Sequence, residues 1–69
     1  MEWTAVSSTT VKAVAYEEAT STVFVEFMGG SIYRYFDVSP ALYDEFMSAT
    51  SKGAYFNSNI KNKFRYERG

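Results

Sequence analysis

Apolar and polar positions alternate through the first half of the chain and change to helical spacing after Asp37. Strands therefore come first and helices second, which is an α+β order. Val11 to Tyr16 reads as a first strand. Val11 and Val14 cannot share a face in a regular strand, so a bulge is expected near Lys12 or Ala13. Glu17 to Ser21 is a polar connection, and Thr22 to Met28 is a second strand rich in β-branched and aromatic residues. Gly29-Gly30 marks a tight turn, and Ser31 to Phe36 returns as a third strand. Loop parity decides which side chains share a face. An odd loop, Met28-Gly29-Gly30 with Gly30 left-handed, aligns Val23, Val25 and Phe27 with Tyr33 and Tyr35. It places Glu26 and Arg34 on the opposite face as an expected cross-strand pair.

Ser39 is a good N-cap, and Pro40 at the first helical position loses no hydrogen bond. Val38 and Tyr43 occupy the two positions of a hydrophobic staple. Leu42, Tyr43, Phe46, Met47 and Ala49 form an apolar stripe wide enough for two contacts, and the helix is expected to end near Ala49-Thr50. Ser51-Lys52-Gly53 reads as a turn into a second helix over about 54–61, with Phe56 and Ile60 one turn apart. After it, Lys63-Phe64-Arg65-Tyr66 alternates again, either as a fourth strand or as a tail with two aromatic anchors. The predicted architecture is one domain over residues 1–69: a three-stranded (or four-stranded) antiparallel meander with two short helices packed on one face.

Composition narrows the chemistry. The 69 residues contain no cysteine and no histidine. Disulfides, thiolate zinc sites, imidazole ligands and Ser–His–Asp or Cys–His catalysis are all excluded. A chain of this size buries only about 60% of its unfolded surface, so it needs a dense core or self-association. Six Phe, six Tyr and one Trp favour both. Glu17-Glu18 and Asp44-Glu45 are adjacent pairs whose side chains point apart, unlike the facing carboxylates of a two-acid mechanism. No P-loop or metal-ligand spacing appears, so no cofactor and no enzyme activity are expected.

The net charge of −1 and pI near 5.2 weigh against a long polyanion as ligand. The distribution is less neutral. Residues 1–51 hold Lys12 and Arg34 against seven carboxylates, whereas residues 52–69 hold Lys52, Lys61, Lys63, Arg65 and Arg68 against Glu67. This is either a solvated bipolar surface or a compact anion site in the C-terminal quarter. Met1-Glu2-Trp3-Thr4 shows no signal-peptide pattern and no apolar run spans a membrane, so the cytoplasm is the expected compartment.

The string Tyr33-Arg34-Tyr35, then Val38, Tyr43, and Ser51-Lys52-Gly53-Ala54-Tyr55-Phe56-Asn57 with Ile60-Lys61, resembles the KTSC domain. That is a small bacterial and phage domain, also found at the C-terminus of some lysyl-tRNA synthetases. The resemblance runs from Ser7-Ser8 to about Tyr66. The family usually runs Val-Pro into the first helix, and here Ser39 intervenes. The resemblance implies an RNA-binding role by association with the synthetase. Small free-standing phage proteins of this appearance are also candidates to sequester nucleotide immune signals.

Ser51-Lys52-Gly53 is either a plain inter-helix turn or a phosphate cradle, in which free helix N–H groups meet an anion that glycine lets approach. Tyr33 and Tyr35 either pack under the helices as core or form a stacking platform. Tyr55 and Asn57 flank Phe56 and are expected to be exposed. The leading expectation is a non-catalytic binder of a small phosphate-bearing nucleotide-type ligand, acting as a homo-oligomer. In it Tyr55 and Tyr35 stack on the base, Lys52, Lys61 and Arg65 hold phosphate at Gly53, and Asn57 fixes orientation. The alternatives are an RNA-binding module using Tyr33, Tyr35 and the basic C-terminal quarter, and a protein-interaction module using the Tyr43/Met47 stripe.

Overall fold

The computed structural model describes residues 1–69. Five antiparallel strands form one sheet in chain order: β1 (Trp3–Ala5), β2 (Val11–Glu17), β3 (Thr22–Phe27), β4 (Ile32–Tyr35) and β5 (Tyr66–Arg68). Two helices, α1 (Pro40–Ser48) and α2 (Lys52–Asn59), stand between β4 and β5 in the chain. They cover one face of the sheet. There Phe46, Phe56 and Ile60 meet Val11, Val14, Val23, Val25 and Tyr35 in a single buried cluster.

The local signals hold where they are strong. The ladder between β2 and β3 shifts register between Val11 and Ala13, so Lys12 is the extra residue and both Val11 and Val14 are fully buried. In the β3–β4 hairpin the Phe27 N–H donates to the Ser31 carbonyl at 2.9 Å and the Gly30 N–H to the Phe27 carbonyl at 2.8 Å. That closes the odd loop, with Gly30 at φ 94°, where a side chain would be strained. Val25 accordingly faces Tyr33, and Val23 faces Tyr35. Ser39 caps α1, its Oγ accepting the Leu42 N–H at 3.2 Å.

Three expectations are corrected. The sheet has five strands, not three or four. β1 is three exposed residues pairing Trp3 with Ala15 and Ala5 with Ala13, too short to show an alternation. Its return to β2 is held by Ser8, whose Oγ accepts the N–H groups of Thr10 and Val11. Lys63–Tyr66, expected as a fourth strand or as a tail with two aromatic anchors, joins the sheet only at Tyr66, because the chain first turns: the Lys63 N–H bonds the Ile60 carbonyl and Phe64 packs against the core. β5 then pairs with β4, Tyr35 opposite Tyr66 and Tyr33 opposite Arg68.

Second, Glu26 and Arg34 do not pair with each other. Phe24 lies opposite Arg34 and Ile32 opposite Glu26. Glu26 reaches the bulge residue Lys12 at 4.0 Å, and Arg34 donates to Glu67 on β5 at 2.8 Å. Third, α2 begins at Lys52, with Ser51 as cap accepting the Ala54 N–H at 3.3 Å. Gly53 therefore sits in the first helical turn. A Cβ there would stand 3.1 Å from Ser8 Oγ, and close approach explains the glycine better than turn geometry does.

Candidate functional site

Alternation puts Tyr33 and Tyr35 of β4 on the helix-facing side, and the β4–β5 register adds Tyr66 beside them. Ring centroids lie 5.7 Å apart for Tyr33–Tyr66 and 5.5 Å for Tyr35–Tyr66. Phe27 meets Tyr33 edge-on at 5.4 Å. Tyr35 meets Phe56 edge-on at 5.2 Å, which ties the row to α2. These rings wall an open hollow of about 440 Å³, lined by Thr10, Phe27, Ser31, Tyr33, Tyr35, Lys61, Asn62 and Tyr66. The Thr10 carbonyl accepts the Met28 N–H at 2.9 Å, fixing the hairpin end of the hollow. At the other end, the Ile60 and Lys61 N–H groups both bond the Phe56 carbonyl, so Lys61 and Asn62 follow directly from a fully buried anchor.

The hollow is rich in donors. Tyr16 and Tyr55 spend their hydroxyls inside the protein, on the Val38 carbonyl and the Glu45 carboxylate, whereas Tyr33, Tyr35 and Tyr66 do not. Lys61 adds an ammonium, Asn62 an amide, and Ser31 and Thr10 hydroxyls, and no carboxylate lines the space. Burial, with Tyr66 and Tyr33 alongside, pushes the Tyr35 hydroxyl up to about 12. It therefore stays a proton donor across the neutral range.

That shift makes a prediction. Above pH ~10 the unfolded chain loses its Tyr35 proton while the folded chain keeps it. Folding stability should therefore fall as pH rises from about 10 toward about 12. Below that window the contribution is present in full. Urea denaturation across alkaline pH checks this, with Tyr35→Phe expected to show a shallower decline.

The residues singled out in the sequence do not converge. Tyr35 is only 3% exposed, so it is core and not a stacking platform, its hydroxyl end alone serving the hollow. Lys61 lines the same hollow but lies beyond the end of α2. Lys52 donates to the Ala49 carbonyl at 3.2 Å. Tyr55, expected to be exposed, is half-buried with its ring stacked on Phe46 at 5.7 Å. Its hydroxyl donates to Glu45 at 3.1 Å, and its pKa is raised by burial and by that carboxylate. Asn57 is exposed on α2. Lys52, Gly53, Tyr55 and Asn57 line none of the three hollows in the molecule. Ser51 takes up one of the free N–H groups at the start of α2, and none of the three hollows opens there.

Arg65 lies on the opposite face of the sheet, its guanidinium 4.7 Å from the Phe36 ring centre. With Phe24, Arg34 and the carboxylates Glu17 and Asp37 it lines a smaller hollow of about 270 Å³. A third hollow, of about 300 Å³, carries Glu2, Glu18 and Asp44 and would repel an anion. Sequence reasoning missed Thr10, Phe27, Ser31, Asn62 and Tyr66 as one group. The available signal was the alternation that puts Tyr33 and Tyr35 on one face, together with a β5 strand placed beside them.

Fold and hollow define a small α+β domain, an antiparallel meander under two helices with an aromatic-walled recess at one sheet edge. The model of the KTSC domain matches residues 7–64, and the chain belongs to that family. It is 44% identical over 57 residues to a lysine–tRNA ligase of Nostoc punctiforme, covering 83% of this chain and 10% of the ligase. A lysine–tRNA ligase of a Nostoc species is 47% identical over the same length. The chain thus spans about a tenth of the length of these ligases. A protein of Tsukamurella paurometabola is 33% identical, with 87% of this chain and 90% of that one covered. The crystal structure of a KTSC domain protein from Yersinia pestis superposes with a TM-score of 0.92 at 30% identity, covering 99% of this chain and 96% of that one. No helix is long and apolar enough to cross a membrane.

Proposed function

We propose that this chain is a non-catalytic binding domain for a small phosphate-bearing nucleotide-type ligand, taken up in the hollow between Tyr33, Tyr35, Tyr66 and Lys61. The observation that carries this reading is the lining itself. Aromatic rings, hydroxyl donors without protein partners and one ammonium meet in a space that no carboxylate enters. Tyr66, 52% exposed, offers the ring on which a base stacks, and the hydroxyls and Lys61 receive phosphate and ribose oxygens. Ligand held without turnover is ligand withdrawn from its receptors, which is how such a domain would act as a sequesterer of a nucleotide signal. A cytoplasmic setting and a homo-oligomeric working state belong to the same proposal.

A melting series with nucleoside monophosphates, ADP-ribose and cyclic dinucleotides tests it. At a hundredfold excess over Kd, a ligand that binds only the folded state adds about 2.7 kcal/mol of stability. A melting temperature that no nucleotide moves rejects the proposal.

The kinship with lysine–tRNA ligases favours a second reading, in which the hollow takes one nucleotide of a single-stranded RNA. Salt separates the two. Contact with many phosphates gives a steep loss of affinity with ionic strength, and one phosphate gives a shallow loss.

A further inference from the structure

We infer that the hollow holds a nucleotide through a single phosphate, one base with one phosphomonoester or phosphodiester, and gains little from the second and third phosphates of nucleoside di- and triphosphates. The inference rests on the nucleotide-binding reading above and narrows it by size and by charge. Small-molecule sites run from about 300 to 1,000 Å³. At about 440 Å³ and open on one side, this hollow lies near the lower end, room for one nucleotide and not for two.

Charge points the same way. Lys61 is the one cation among the eight lining residues. Arg68, opposite Tyr33 on the exposed edge strand, stands at the rim with its Nη2 donating to Ser31 Oγ at 3.1 Å. Polyphosphates are held elsewhere by clusters of cations, a bound divalent ion, or a run of free N–H groups at a helix start. None of these opens onto this hollow. No group of acidic side chains is arranged to hold a metal ion. The start of α2 is capped by Ser51, and Lys52 is turned onto Ala49. A second or third phosphate would extend past Lys61 into solvent, where Arg68 is an exposed cation whose contact with it is worth little through water.

Calorimetric titration of the full chain with adenosine, AMP, ADP and ATP, repeated with the uracil series, tests this. AMP should bind at least about tenfold more tightly than adenosine, the worth of one charge-assisted phosphate contact. ADP and ATP should stay within about threefold of AMP. Lys61→Ala should remove the difference between AMP and adenosine, and Lys63→Ala should leave both affinities unchanged. Affinity that climbs about tenfold with each added phosphate, or a phosphate increment that survives Lys61→Ala, overturns the inference while sparing nucleotide binding. Failure of all the nucleosides and nucleotides to bind overturns both. A hexanucleotide arm identifies the source of the unit. Affinity no better than AMP with a shallow salt slope supports the single-phosphate inference and assigns it to the free nucleotide. Tighter binding with a steep slope shows that further phosphates are held and overturns it.

Discussion

Phe56→Ala should remove a large share of the chain's folding stability. Phe56 is 2% exposed and is the one buried side chain of α2. Its centroid lies 5.2 Å from Tyr35, 5.5 Å from Phe27 and 6.4 Å from Phe46. Removing a buried Phe side chain costs about 3–5 kcal/mol. Small domains hold roughly 0.05–0.15 kcal/mol per residue, about 3.5–10 kcal/mol for this chain, so one truncation here takes about a third of the margin or more. There is no disulfide to compensate. Phe56→Leu fills much of the same space and should fold with reduced stability. Urea denaturation followed by circular dichroism distinguishes the two variants. A Phe56→Ala protein that unfolds at the wild-type urea midpoint would show that the cluster is far less interdependent than its geometry indicates.

Tyr66→Ala should do the reverse, sparing the fold and removing ligand binding. Tyr66 lies on a three-residue edge strand and is about half exposed. Cross-strand neighbours of this kind contribute only about 0.2–1 kcal/mol. Loss of a base–aromatic stack costs about 1–3 kcal/mol, so nucleotide affinity should fall by roughly ten- to a hundredfold. Tyr66→Phe keeps the ring and should retain most of the affinity, losing only the hydroxyl's share. Calorimetry with AMP on both variants, beside melting curves, separates the stacking role from a structural one. Equal AMP affinity in wild type and Tyr66→Ala would remove Tyr66 from the site.

Why some features could be read from the chain and others could not follows from how local their causes are. The hairpin over Gly29-Gly30, the bulge at Lys12 and the Ser39-Pro40 helix start each depend on a few adjacent residues, and each stands where the pattern placed it. Trp3–Ala5 and Tyr66–Arg68 are three residues each, held by partners far along the chain, and no periodicity marks them. Placing β5 beside β4 changes the electrostatics as well. Arg34, which the hairpin alone would match with Glu26, turns to Glu67 instead.

The site shows the same division. Lys52, Tyr55 and Asn57 are neighbours in sequence, yet helical geometry sends them to different surroundings: Lys52 to Ala49, Tyr55 to Phe46 and Glu45, Asn57 to solvent. Tyr33, Tyr35, Lys61 and Tyr66 are scattered along the chain and meet only once α2 has returned the backbone to the free edge of β4. Lys61 lines the hollow, whereas Arg65, a cation of the same basic C-terminal quarter, falls on the other face.

The most direct measurement is an amide and side-chain NMR titration of the full chain with AMP. The account predicts saturable shifts concentrated at Thr10, Ser31, Tyr33, Lys61, Asn62 and Tyr66, with Lys52, Asn57 and Arg65 unmoved. Shifts gathered instead around Lys52 and Asn57, or on the Phe36–Arg65 face, would contradict it, as would a spectrum that AMP does not change.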